Sequence, residues 1–299
     1  MLKKGIEALI RNPFYANKYR GALFVVKAGG NIVSDASALE NLIGDIHQLT
    51  LNGIKVILIY GGGAMIDTAL KEKGIEPQKH NGRRITTKED MGVIKQVLPG
   101  TLGFGIYETA ARLGVPALCL NAVPSDWIEA DFRPKNEVDF GYVGDIHGIN
   151  TRPINRVLKA VDFVAAPCIA PARTGEALNI NADTIATELA VGMKAQKLVF
   201  LSDVDGVLKN GQTISFLTDA DIAGLINDGT ASGGMRVKLE NCANALQRGV
   251  KRIHLLNGFK ENVLSDEIFD PKGSGTMLIR EEDRKSYNSE VTYQSRRSA

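Results

Sequence analysis

The chain has 299 residues, 44% of them apolar, and its 36 basic side chains nearly balance 34 acidic ones, leaving a net charge of +2. That length suits one large α/β domain or two modest lobes, and the balanced charge excludes the basic stripe of a nucleic-acid binder, for which Arg296-Arg297 is the one hint. No apolar run approaches the roughly 18 residues of a membrane span, which excludes a helical membrane protein.

The first elements in chain order form a separate unit. Ile6, Leu9, Ile10 and Phe14 line one face of a short helix before Gly21, which packs either on its own chain or against another subunit. The stretch from Met1 to Arg11 is too short and too charged for a signal peptide, so a cytoplasmic location is expected. Cys119, Cys168 and Cys242 lack metal-ligand spacing and read as reduced, mostly buried thiols, and no protein-held metal is expected.

From Leu23 onward, strand-like and helical segments alternate. The apolar run Leu23 to Val26 is followed at once by Lys27-Ala28-Gly29-Gly30-Asn31, and a helix spans Ala36 to Asn52. The run Val56 to Tyr60 is followed by Gly61-Gly62-Gly63 and a helix over Met65 to Lys73. Helices are expected over Lys88 to Leu98 and Thr101 to Leu113, and a strand over Pro116 to Leu120. Asp126 to Gly148, with Pro134 and several glycines, reads as a hairpin or a long loop. After a strand at Phe163 to Ala165, the prolines of Ala166 to Pro171 mark a hinge between lobes. Then come a helix over Asn181 to Met193, a strand over Lys197 to Leu201, helices over Asp219 to Asn227 and Arg236 to Arg248, and a strand over Arg252 to Leu255. Beyond Arg280 the chain turns polar, and a frayed tail is expected. The units are 1–20 (helical extension), 21–170, 171–282 and 283–299 (polar tail). Such alternation predicts a mostly parallel sheet covered on both faces, with ligands at the carboxyl ends of its strands.

Both glycine clusters fall at such ends. Glycine there lets backbone N–H groups approach an anion, and the following helix directs its positive end to the same place. A lone lysine at a strand end would read as solvated, but Gly29 and Gly30 beside Lys27 reverse that reading and point to phosphate. Lys238 opens a helix after Gly233-Gly234 and opposes the macrodipole, so it needs an anionic partner. In Asn179-Ile180-Asn181-Ala182-Asp183, one group serves as a helix cap, which leaves Asn179 and Asp183 for a ligand. Asp203-Val204-Asp205-Gly206 is a turn that could edge a nucleotide pocket. Gly82-Arg83-Arg84-Ile85-Thr86-Thr87 is either surface charge or a carboxylate grip. No histidine is paired for nucleophilic catalysis.

The ordered series VVKAGGN (25–31), IYGGG (59–63), GRRITT (82–87), LNINADT (178–184), LSDVDGVL (201–208) and GGMRVKLENCANAL (233–246) resembles the amino-acid kinase superfamily. The endings GVKRIHLLNG (249–258) and GSGTMLI (273–279) look most like its N-acetylglutamate-kinase branch. The resemblance implies an open three-layer αβα sandwich with a mostly parallel sheet, two lobes in one domain: an N-terminal substrate lobe, with a dimerisation surface, and a C-terminal ATP lobe. It implies transfer of the ATP γ-phosphate, with Mg²⁺ carried by the nucleotide, to a side-chain carboxylate, giving an acyl phosphate in arginine biosynthesis. At matching positions, Lys27 and Lys238 stabilise the migrating phosphoryl group and Asp183 orients both. Gly29, Gly30, Asp203, Gly206 and Lys238 serve the nucleotide, Gly62 and Gly63 the reacting centre, and Arg84 and Asn179 the amino-acid end of the substrate. It also implies a homo-oligomer (a dimer, or a hexamer through the N-terminal helix) and feedback by arginine.

The departures cluster in the substrate lobe. Ala64-Met65 replaces the usual proline after the glycine triplet, and Thr101-Leu102-Gly103-Phe104 replaces an asparagine-lysine pair. Asn121 to Trp127 replaces a glycine-rich turn. Alternatives are therefore a related acylated acidic amino acid such as acetylaminoadipate, a kinase of uridylate or carbamate, or a non-catalytic amino-acid sensor. Retention of Lys27, Asp183 and Lys238 argues against the sensor, and the Gly82 motif and the ending argue against the other kinases.

Overall fold

Strand β1 (Leu23–Ala28) passes through Gly29 into α1 (Gly30–Ser34) and α2 (Ala36–Leu51), the latter capped by Asp35, which accepts from the Ala38 N–H. These belong to a computed structural model that describes residues 17–135, 137–269 and 273–295. The expected helix over Ile6, Leu9, Ile10 and Phe14, and the pair Arg296-Arg297, lie outside the described residues. Strand β2 (Lys55–Tyr60) leads through Gly61 and Gly62 into α3 (Gly63–Glu72). The two-residue strands β3 (Lys79–His80) and β4 (Arg83–Arg84) form a short ribbon that carries the arginine motif.

Next comes a departure from expectation. The two helices expected on either side of Pro99 are one rod: α4 (Lys88–Lys95), a π-helical stretch over Gln96–Gly103, and α5 (Phe104–Leu113). Proline lacks an N–H and clashes with the carbonyl four residues back in an α-helix, and the wider π turn accommodates it without a break. Strand β5 (Leu118–Cys119) follows, and 126–148 resolves as the antiparallel hairpin β6 (Ile128–Phe132) and β7 (Gly144–Ile149). Helix α6 (Thr151–Ala160) was not foreseen; its Pro153 sits in the first helical turn, where proline is tolerated.

The remaining elements are β8 (Phe163–Pro167), β9 (Ile169–Pro171), β10 (Ala177–Asn179), α7 (Ala182–Gly192), β11 (Lys197–Ser202), β12 (Leu208–Lys209), β13 (Gln212–Thr213), β14 (Phe216–Thr218), α8 (Asp219–Asn227), α9 (Gly233–Gln247), β15 (Ile253–Asn257), α10 (Val263–Phe269), β16 (Thr276–Ile279) and α11 (Arg284–Ser295). Helix α11 corrects the expected frayed tail. Its Tyr287 ring stacks on Phe216 at 5.0 Å, with the Arg284 guanidinium 5.6 Å over the same Phe216 ring, so two aromatics anchor an otherwise polar helix.

One eight-stranded sheet runs through the molecule in the order β14-β16-β15-β11-β1-β2-β8-β5. Every pairing in it is parallel except β15 with β16. The segment expected to be a hinge, 166–171, is instead the end of β8 inside this sheet and the strand β9, which pairs with β10. Val25, Val26, Val56 to Tyr60 and Val164 to Ala166 are fully buried, as both-face coverage of a parallel sheet requires. Because β1 and β2 are neighbours in parallel register, their two glycine turns emerge side by side.

Two buried polar clusters tie the layers together. On α2, Asp45 accepts from the Leu264 N–H at 2.9 Å and the Ser265 hydroxyl at 2.6 Å, at the start of α10. Behind the sheet, Lys197 meets His254 Nε2 at 2.9 Å, and His254 Nδ1 meets Glu267 at 2.6 Å.

Candidate active site

The glycine turns are packed backbone against backbone. A Cβ on Gly30 would fall 2.6 Å from the Gly62 Cα, and one on Gly62 would strike Leu98 and Leu102 of the π segment at 2.7 and 2.8 Å. Only hydrogen fits at either position. Gly29 and Gly62 are the N-caps of α1 and α3, and neither helix start is capped by a side chain, so the first amides of both point outward unsatisfied.

Lys27 sits near the carboxyl end of β1, and its Nζ lies 2.9 Å from Asp183 Oδ1 in the first turn of α7. The side chains are 16% and 29% exposed, so the pair stands at the mouth of a cleft rather than in bulk solvent. That cleft, of about 310 Å³, brings together Lys27, Gly29, Gly30, Gly62, Gly63, Arg84 and Asn179. Lys27 and Asp183 both act on the Cys168 thiol below them: burial pushes it up to about 11, against the pull of the ammonium.

Arg84 enters the cleft from β4 with 9% of its side chain exposed. Its Nη2 donates to Asp67 and to the Gly63 carbonyl, while its buried Nη1 has no hydrogen-bond partner within the protein. Burial pushes the Asp67 carboxyl up, but the hydrogen bonds and charges of Lys79 and Arg84 outweigh it and hold it below the usual carboxylate range. The guanidinium is thus fixed by one edge, and its other edge is desolvated and unsatisfied. A carboxylate would satisfy it.

The remaining expected residues lie outside that cavity, toward the C-terminal half. Lys238 is half-buried on α9 and, among the described residues, has no ion-pair partner. One turn further on, burial pushes the Cys242 thiol up to about 12, with Lys238 pulling it down and Asp183 pushing it up. Asp183 pairs with Lys27, and among the described residues no ion pair joins it to Lys238. Asp203 is two residues beyond Leu201, whose carbonyl accepts from the Gly29 N–H at 3.3 Å, so the ends of β1 and β11 meet. Gly206 has a packing reason of its own. At φ +120° a Cβ there would come within 2.4 Å of the Thr276 hydroxyl.

Arg133 was missed at the sequence level. It lines the same cleft, with Nη2 2.6 Å and Nε 3.1 Å from Asp145 Oδ1 and its guanidinium 5.2 Å from the Phe140 ring centroid. Its partner is twelve residues away across the β6–β7 hairpin, and no local motif marks the pair.

A cleft at the carboxyl edge of a parallel sheet, floored by uncapped helix starts and ringed by cations, defines a phosphate-handling enzyme of the α/β class. Residues 22–257 match the Amino acid kinase family, and the chain belongs to that family. It is 37% identical over 283 residues to the acetylglutamate kinase of Halothermothrix orenii, covering 92% of this chain and 96% of that one. It is also 37% identical to the acetylglutamate kinase of Aliarcobacter butzleri, covering 92% of each. Among solved structures, N-acetylglutamate synthase from Neisseria gonorrhoeae, complexed with coenzyme A and L-arginine, superposes with a TM-score of 0.81 at 25% identity. That alignment covers 92% of this chain and 65% of the synthase. A Giardia carbamate kinase matches at TM-score 0.62 and 16% identity, over 87% of this chain and 99% of that one, a likeness of fold.

Proposed function

We propose that the chain transfers the γ-phosphoryl group of ATP to the side-chain carboxylate of N-acetyl-L-glutamate, the second step of arginine biosynthesis. The observation that carries this reading is one cleft lined both by Lys27 at the glycine turns, with Asp183 paired to it, and by the half-satisfied guanidinium of Arg84. In it, the α-carboxylate binds the free edge of Arg84 and the amide of Asn179, which directs the side-chain carboxylate toward Lys27. A carboxylate is already ionised and nucleophilic at neutral pH, so no protein base is required. The attacking oxygen forms a bond to phosphorus as the bridging P–O bond breaks, and that electron pair leaves on ADP.

Catalysis then rests on positioning and on neutralising charge. Lys27 meets the migrating group from the β1 side, held by Asp183, and Lys238 meets it from the α9 side. The amides at Gly29 and Gly30 face the nucleotide phosphates, those at Gly62 and Gly63 the reacting centre, and Asp203 and Gly206 edge the nucleotide. The uncapped helix starts and paired lysines fit a polyphosphate, and Mg²⁺ bound to those phosphates would supply further charge neutralisation.

The test is hydroxylamine trapping of acyl phosphate with ATP and a panel of N-acylated acidic amino acids. Product with acetylglutamate is expected; product with acetylaminoadipate but none with acetylglutamate would overturn the substrate assignment. Lys238→Ala should lower kcat by about 10²–10³-fold while ATP binding, read by calorimetry, is retained. Binding lost in parallel with turnover would refute its role at the migrating group.

The same reading includes a cytoplasmic homo-oligomer under arginine feedback. Exposed aromatics on α5, Phe104 at 62% and Tyr107 at 54%, support a subunit contact on the substrate lobe. The Neisseria synthase that this chain resembles was crystallised with L-arginine, which supports feedback. Sedimentation and an activity titration with arginine test the two; a monomer, or a flat titration, would remove the corresponding part.

A further inference from the structure

Thr86 is fully buried and does not line the cleft, yet three pieces of the substrate lobe are tied at this residue. Its N–H donates to the Phe140 carbonyl at 3.0 Å, and its own carbonyl accepts from the Tyr142 N–H at 2.7 Å. These bonds join the end of the arginine ribbon to the stretch just before β7. The approach is so close that a Cβ on Gly141, which sits at φ +66°, would fall 2.3 Å from the Thr86 carbonyl oxygen. Asn179 joins the same crossing: its N–H donates to the Tyr142 carbonyl at 2.9 Å, and its side-chain Nδ2 donates to the Thr86 hydroxyl at 3.1 Å.

We infer that Thr86 is a positioning residue for substrate recognition: its hydroxyl locks the Asn179 amide so that one fixed edge faces the substrate. The inference rests on the reading of Asn179 as a substrate contact. The amide torsion of asparagine is broad and roughly two-fold, so an amide without a partner presents its oxygen and its nitrogen edge alternately. With one Nδ2 hydrogen donated to the Thr86 hydroxyl, the torsion is narrowed before the ligand arrives and the second Nδ2 hydrogen is left for a carboxylate, which lowers the ordering penalty of binding. The same crossing holds the backbone that leads back to Arg84. One buried hydroxyl therefore registers the amide against the guanidinium without touching the ligand.

Thr86→Val keeps the shape and removes the hydroxyl. The KM for N-acetylglutamate should rise about fivefold to tenfold, with the KM for ATP unchanged and kcat within about twofold. Thr86→Ser should restore the substrate KM. In an Asn179→Ala background, which itself raises the substrate KM, Thr86→Val should add nothing further. If valine prevents folding, the Thr86→Ala and Thr86→Ser pair isolates the hydroxyl in the same way. A wild-type substrate KM in Thr86→Val, alongside a raised one in Asn179→Ala, sinks the inference and leaves the site reading intact. An unchanged KM in Asn179→Ala sinks the site reading itself. A Thr86→Val variant in which the ATP and substrate KM values rise together assigns Thr86 to general stability, and also refutes positioning.

Discussion

Asp45 gives a prediction whose magnitude follows from its surroundings. The carboxyl is 4% exposed, and burial pushes it up to about 6 from an ordinary 3.8, against the lowering effect of its bonds from Ser265 and Leu264. Desolvation of the charged form wins over two or three hydrogen bonds. The folded value is raised, so the stabilising contribution is complete below pH 3.8 and is lost as pH climbs through about 6. A shift of roughly two units corresponds to about 3 kcal/mol at 1.36 kcal/mol per unit. Asp45→Asn keeps an oxygen for the Leu264 N–H, can donate to the Ser265 hydroxyl, and carries no charge to desolvate. Urea unfolding of both proteins at pH 4, 5, 6 and 7 should show the asparagine variant gaining on the native chain by about 2 kcal/mol across that range, most of the full effect. A difference that stays flat, or that favours aspartate more strongly as pH rises, refutes the argument that burial outweighs the hydrogen bonds.

Two further outcomes follow from close contacts and buried charge. Gly30→Ala places a methyl 2.6 Å from the Gly62 Cα, where only backbone can yield, so melting should reveal a loss of about 1–3 kcal/mol and ADP release should fall sharply; unchanged melting would mean that the turns are not in contact. Burial, with Lys197 beside it, pushes the His254 imidazole down to about 4. The stability it contributes is therefore present above the free value near 6.5 and lost as pH falls toward 4, so His254→Gln should hold a larger share of its neutral-pH stability at pH 4.5 than the native chain does, and parallel acid-unfolding curves would refute this.

The parts of the molecule legible from sequence are those encoded by neighbouring residues. An apolar run ending in Lys27-Ala28-Gly29-Gly30, or in Gly61-Gly62-Gly63, states locally that a buried strand stops and a helix begins, and both turns stand where that pattern puts them. The same is true of helix α8, whose capping box at Thr218 and Asp221 fixes its start. What stayed hidden depends on distant partners. Helix α11 reads as a polar tail because its reason to order, Phe216 under Tyr287, lies far back in the chain. Asp45 looks like any helix-surface acid until the start of α10 is laid across it. Arg133 carries no motif, and it becomes a cleft residue only through Asp145 and Phe140.

The glycine turns and the rest of the cleft are held together in different ways. Gly30 and Gly62 pack so closely that a Cβ on Gly30 would fall 2.6 Å from the Gly62 Cα, and Lys27 is held by Asp183. The substrate side is assembled differently, from separate strands pinned by pairwise bonds: Arg84 by Asp67, Arg133 by Asp145, Asn179 by Thr86. Among the described residues, the Arg133–Asp145 and Asn179–Thr86 pairs make no hydrogen bond to the glycine turns, whereas Arg84 also donates to the Gly63 carbonyl and is tied to them. A change of acyl-amino-acid preference is therefore best sought at Arg133, which lines the cleft and is held by Asp145, away from the Lys27–Asp183 contact.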